Sequence, residues 1–330
     1  MIDCSSEVRG LRLCELSSEE LSVSVIPQFG GLIWSIEDVS TGTQFLYHHY
    51  KEPRPFSSYL EDFPRTDPIH TFFVGGWFEV LPNAGYSTNF AGTSWGLHGE
   101  TVYIPWEVQF DEERDPLSLL TLAKLNRYPM KLYRRLSVRG RELIISERLV
   151  NLSPVDLKFS WLHHPTFGGN FLDENVRIEV EETEIVVDNY LNLKYGELEP
   201  GYRGKWPRAR TKDGRVVDLS SLPKRGTQNT NDVVYIPKVN RGKFRIENLK
   251  KGVEIEFDYD PSIFPSLWIW RPIGGGPEDP WYGTIYATSL EITTSWPATG
   301  LAHQIEMGTA STLRANSSIS TQISVRVTGR

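Results

Sequence analysis

The chain has 330 residues, of which 39% are hydrophobic and 23% charged, with a formal net charge of -7. That length can bury a sizeable core, and the acidic balance excludes the basic field needed to grip nucleic acid or an anionic membrane face. The opening MIDCSSEVRGLRLCELSSEE scatters charge and has no continuous apolar core, and no later apolar run is long enough to cross a bilayer, so a cytoplasmic protein is expected.

Cys4 and Cys14 are its only cysteines, and no histidine lies near them. They predict two reduced thiols rather than a disulfide framework or a zinc site. Strand-like segments then follow one another: LSVSVIP at 21, TVYIPWEVQF at 101, KLYRRLSV at 131, ELIISERLV at 142, TEIVVD at 183, VEIEFDY at 253, GTIYATSLEITT at 283 and TQISVRV at 321. Long helical periodicity is missing, and SSEEL at 17 is too brief to carry an architecture. These elements predict an all-β fold, a large antiparallel sandwich forming a single domain over residues 1–330, with a concave sheet face able to hold a ligand. Three segments interrupt the pattern: KEPRPFSSYLEDFPRTDPI at 51, the Gly-, Pro- and charge-rich stretch from Tyr195 to Thr230, and RPIGGGPEDPWYG at 271. Loops this long are functional or mobile in most compact domains. The second is not read as a linker, because strand-like sequence flanks it on both sides.

Three polar stations stand out. GGWFEVLPNAGYSTNFAGTSWGLHGE, residues 75–100, combines tight-turn glycines with Trp77, Glu79, Asn83, Trp95 and His98. In SWLHHPTFGG, residues 160–169, alternation along a strand sends His163 and His164 to opposite faces, so only one of them can serve a given site. In GTIYATSLEITTSWPATGL, residues 283–301, an inward Glu291 would need partners or a ligand. Its two alternating faces, Ile285, Ala287, Ser289, Glu291 and Tyr286, Thr288, Leu290, Ile292, do not decide which way it points.

Taken in order, GGWFEVLPNAG, GLHGE, HHPTF, LEITT and a closing GTASTLRANSS resemble the aldose 1-epimerase family, also called galactose mutarotase-like proteins. The similarity runs from VIPQFGGLIWSI to the last strand. It implies a β-supersandwich whose concave face binds a sugar, with a catalytic glutamate and two histidines. The family's general-acid pattern, of the form H-P-Y-F, falls on His164, Pro165, Thr166 and Phe167, which makes His164 the acid and leaves His163 facing the other way. His98, in the H-G pattern, becomes the second histidine, and Glu291, in a strand similar to L-E-P-T, the general base.

Sugars stack their C–H faces on aromatic rings, for which Trp77, Trp95, Trp268, Trp270 and Trp281 are candidates. Trp77 and Trp281 are selected as substrate-binding residues, with Glu79 and Asn83 as a hydrogen-bonding pair. The chain departs from the family pattern at Val74, where many members carry arginine, and at Ile292, where proline is common. Arg271, or Arg203 from the long loop, is the expected replacement for the missing arginine. The first station is closer to a branch outside the galactose-specific members.

The implied reaction exchanges sugar anomers and needs one carboxylate and one imidazolium, with no metal or organic cofactor. A carboxylate beside His164 is expected to raise its pKa, and donors around Glu291 to keep it ionised. The expected partner is a small sugar, with neither nucleic acid nor membrane. Two rival readings remain: a non-catalytic carbohydrate-binding protein on this fold, and a glycan-cleaving enzyme, for which Glu79 or Glu100 would supply the second carboxyl group.

Overall fold

The computed structural model describes residues 1–60, 71–109, 117–181, 183–191 and 194–329. Residues 61–69 of the first expected loop, and Phe110 at the end of TVYIPWEVQF, lie outside them. The described residues form two large sheets, one of thirteen strands and one of eight, whose ladders are antiparallel. The middle of the larger sheet runs Leu32–Asp38, Trp77–Val80, Leu162–Phe167, Thr288–Thr293, Ser266–Gly274, Thr230–Ile236. The smaller sheet includes Val253–Tyr259, Ser318–Gly329, Glu142–Asn151 and Met130–Arg139 as successive neighbours. The all-β sandwich expected from the strand spacing is therefore the observed architecture. Among the described residues no helix is long and apolar enough to cross a membrane.

The two sheets bury their residues differently. Val253–Tyr259 alternates buried and partly exposed positions, as a strand does when one face meets the core and the other meets water. Trp77–Val80, Leu162–Phe167 and Thr288–Thr293 are buried at every position. Both faces of the larger sheet's centre are covered, which produces two cores. One core lies between the sheets and holds Trp77, Phe167, Leu290, Ile292 and Phe257. The other lies on the opposite face and holds Phe78, Val80, Leu162, Trp268 and Trp281.

Three expectations change. TVYIPWEVQF is not one strand: Thr101–Tyr103 makes a single 3-10 turn, and among its described residues only Glu107–Gln109 pairs. Pro105 cannot donate to a ladder, and Trp106 turns inward, its indole N–H bonded to the Thr101 carbonyl at 3.1 Å. Cys4 and Cys14 are joined in a disulfide, not reduced. Ile2–Val8 and Leu11–Ser17 form an edge hairpin, which brings the two Cα atoms to 4.0 Å, a proximity that spacing alone did not reveal. The stretch from Tyr195 to Thr230 contributes Leu198, Trp206, Ala209, Leu219 and Leu222 to the inter-sheet core, so it is packed structure rather than a mobile loop.

Candidate active site

The strand Leu162–Phe167 decides between the two histidines. Opposite Trp77–Val80, its register pairs His163 with Glu79 and His164 with Phe78. Alternation sends His163 into the inter-sheet core and His164 to the other face. On its second side the pairs Leu162–Thr293 and Thr166–Ser289 set a register in which His164 stands directly across from Glu291. Their side chains meet, with His164 Nε2 at 3.4 Å from Glu291 Oε1. The other imidazole nitrogen of His164, Nδ1, lies 3.2 Å from the Thr166 hydroxyl.

This pair sits in a pocket, partly open to solvent, whose lining also includes His98, Trp268, Trp270 and Trp281. The aromatic rings support one another. Phe73 meets Trp270 edge-on at 5.8 Å and Trp281 edge-on at 5.4 Å, and Trp270 lies 5.6 Å from the His164 ring. The indole N–H groups of Trp268 and Trp270 are occupied by the Ser295 carbonyl and the Asn231 side-chain oxygen, at 2.9 and 2.7 Å. Their apolar ring surface therefore remains for a ligand.

His98 reaches the pocket from a strained loop. Its φ is 62°, a left-handed conformation that non-glycine residues seldom adopt. The Gly85 N–H points at its Nδ1 from 3.4 Å, and its ring stands edge-on to His164 at 5.4 Å. Gly99 follows because that position bridges Leu81, and a Cβ there would strike the Leu81 carbonyl oxygen.

Burial dominates the ionisation of the pair. It pushes the Glu291 carboxyl up from 4.5 to about 8, with only the Ser289 hydroxyl opposing. It pushes His164 down from 6.5 to about 4. Both directions are opposite to those expected from neighbouring charges, because leaving water penalises each charged form. Between these values the pair carries a single proton.

The structure brings His98, His164, Glu291 and Trp281 together and turns the other four selected residues elsewhere. Trp77 faces the inter-sheet core, against His163 and Phe257. Glu79 faces the same core, where its Oε1 accepts the Trp161 indole N–H at 2.7 Å and its Oε2 lies 3.4 Å from Arg134 Nη1. Asn83 braces loops: its amide donates to the Tyr86 and Gly96 carbonyls, both at 3.0 Å, and its oxygen accepts Leu301 N–H at 2.7 Å. Arg271 donates to the Leu219 and Ser221 carbonyls at 2.6 and 3.1 Å. It occupies the face of Ser266–Gly274 opposite Trp268 and Trp270. Arg203 pairs with Glu184 at an exposed edge.

The sequence reasoning missed Phe73, Tyr86, Leu97, Leu191, Asn231, Val233 and Ala298 in the lining. Their contiguity comes from loops folding over the sheet, and none carried a local signal. Behind the sheet, Glu79, Glu147 and His163 bring potential ligand atoms within 4.8 Å of one another. Arg134 already supplies permanent positive charge beside that cluster.

No family model matches the sequence, and no curated protein matches it. Solved structures do match over essentially the full chain. The Slr1438 protein of Synechocystis aligns over 100% of both chains at 18% identity and a TM-score of 0.65. A provisionally named aldose 1-epimerase of Klebsiella pneumoniae aligns over 99% of this chain and 82% of its own, at 14% identity and a TM-score of 0.73. A galactose mutarotase-like protein of Clostridium acetobutylicum aligns over 100% of this chain and 99% of its own, at 14% identity and a TM-score of 0.64. The fold is that of the galactose mutarotase-like proteins. At such identities the likeness concerns architecture, and the chemistry of a galactose mutarotase-like fold has to be argued from its pocket.

Proposed function

We propose that the protein is an isomerase that interconverts the α and β anomers of an aldose by acid–base ring opening. The observation that carries this reading is the approach of His164 and Glu291 to 3.4 Å in an aromatic-lined pocket. To open the ring, one group removes the proton from the C1 hydroxyl while another protonates the ring oxygen. The C1–O bond to the ring oxygen then breaks, leaving the free aldehyde. Rotation about C1–C2 and the reverse proton transfers close the ring on the other face.

A buried pair holding one proton provides both functions at once. Neutral imidazole beside carboxylic acid, and imidazolium beside carboxylate, each contain one acid and one base. Sugar hydroxyls entering the pocket favour the ionic form, in which Glu291 is the base and His164 the acid. The return step exchanges the roles. His98, in the lining and edge-on to His164, is suited to contact the sugar ring. Trp281 and Trp270 offer stacking surface to the C–H face of the ring.

Glycan cleavage is the weaker reading. Glu291 is the one carboxylate among the described lining residues. Glu79 lies in the core, and Glu100 accepts the Asn126 and Arg127 backbone N–H groups. The test is anomer exchange, followed by NMR saturation transfer or polarimetry on a panel of aldoses and sugar derivatives. His164→Ala is expected to lower turnover by about 10² to 10⁴ without unfolding the chain. Sugar binding without exchange on any member of the panel would replace this reading with that of a carbohydrate-binding protein.

A further inference from the structure

The inter-sheet core directly behind His164 contains titratable side chains that ring opening does not use. Glu79, Arg134, Glu147 and His163 are each 3% exposed or less. They come from four strands. Trp77–Val80 and Leu162–Phe167 belong to the larger sheet, while Met130–Arg139 and Glu142–Asn151 belong to the smaller. Glu79 is held by Trp161 and by Arg134 at 3.4 Å. His163 Nε2 lies 3.2 Å from Glu147 Oε2, a close approach without hydrogen-bond geometry, so this link is one of packing and proximity. Arg134 also donates to the Gly31 carbonyl and stacks on Trp106 at 4.3 Å. The His163 ring is boxed by Trp77, Trp161 and Phe264 at 5.8, 5.8 and 5.3 Å. Apolar side chains of similar volume would pack these sheets at least as stably.

The position of the network gives it a use. The Leu162–Phe167 strand pairs with Thr288–Thr293 at Leu162, Thr166 and Phe167, but has no pair at His163, His164 or Pro165. Pro165 has no N–H to give. The ladder to the strand carrying Glu291 is therefore interrupted at the residue whose side chain must reach Glu291. On that side the strand is held only at the flanking pairs Leu162–Thr293 and Thr166–Ser289, and at His164 itself its main chain is paired with the Glu79 strand alone.

We propose that Glu79, Arg134, Glu147 and His163 are positioning residues for His164: they clamp its strand to the second sheet and so hold the His164–Glu291 gap. The proposal rests on the anomer-exchange reading for its kinetic effect, although the clamp itself is testable without it. A displacement of order 1 Å at a reacting group can cost ~10²-fold in rate, so a small lift of this strand suffices.

The experiment compares Glu147→Ala with the isosteric Glu147→Gln, and adds a fully apolar variant, Glu79→Met, Arg134→Met, Glu147→Leu, His163→Phe. Folding is checked by circular dichroism. The expected result is a kcat lower by about 10-fold or more in the Ala and apolar variants, with KM within about 2-fold of wild type. Most of the rate should return in Glu147→Gln, which keeps the side chain's shape against His163. Imidazole NMR signals of His164 should move in the two slow variants. A folded apolar variant with wild-type kcat, or a loss confined to KM, would overturn the proposal. Amide exchange of the wild type tests the clamp if no variant folds. His163 and His164 amides protected to the limit of global unfolding support it, and early opening of this strand sinks it. Absence of anomer exchange in the wild type would remove the functional reading while leaving the exchange result to judge the clamp.

Discussion

Replacing Glu291 by glutamine keeps the side chain's shape and removes its titration, so one substitution tests both the chemistry and the electrostatics of the pocket. On folding, burial moves this carboxyl from 4.5 to about 8. The native state therefore binds a proton that the unfolded chain releases across this range. A group shifted upward in this way contributes most favourably below 4.5, and its contribution is lost as pH rises toward 8. Between pH 5 and pH 8 the linkage amounts to about 3 kcal/mol, at about 1.4 kcal/mol per pH unit over the part of the range where the two states differ in protonation. Glu291→Gln is free of this penalty. Measured against wild type by urea unfolding, the variant should gain stability between pH 5 and pH 8 by roughly that amount, while its anomer exchange falls by about 10² to 10⁴. A stability difference that stays flat with pH would mean that Glu291 ionises as it does in water, and the buried pair would then be wrong. Unchanged turnover would remove Glu291 from the chemistry.

Three further outcomes follow from the same geometry. Turnover should plateau between limbs near pH 4 and pH 8, because below the first His164 and Glu291 are both protonated and above the second neither is. A kcat/KM profile with a single limb near 6.5 would contradict this. Trp281→Ala removes one wall of the pocket and should raise KM by about 3- to 10-fold while leaving kcat within about 2-fold, and steady-state kinetics showing the reverse split would refute a stacking role. Cys4 and Cys14 should resist alkylation until a reductant is added, read by intact mass, whereas two adducts on the untreated protein would refute their disulfide.

The strand content and the family resemblance were legible because they depend on local order. Val253–Tyr259 shows its period of two in the sequence and in its burial. For the histidine pair, alternation alone established that His163 and His164 part company. Which of them meets Glu291 depended on the register between three strands, with Glu79 opposite one histidine and Glu291 opposite the other. The placement of Glu291 could not be read locally because Thr288–Thr293 is covered on both faces, and a strand buried on both sides has no polar face to mark its outside. The same double burial concealed that Trp77 and Glu79 point away from the pocket. Arg271 was misplaced for a related reason, since only its strand's pairing shows Trp268 and Trp270 occupying the ligand side.

Composition and strand spacing determined an all-β chain, and motif order, through the family resemblance, selected two histidines and a glutamate as candidate site residues. Tertiary structure decided which groups share a pocket, that Cys4 meets Cys14, and which way burial moves the ionisation of His164 and Glu291. Side-chain type sets what a group can donate or accept. Its charge state and its neighbours depend on how much water the fold removes and on which distant strands it aligns.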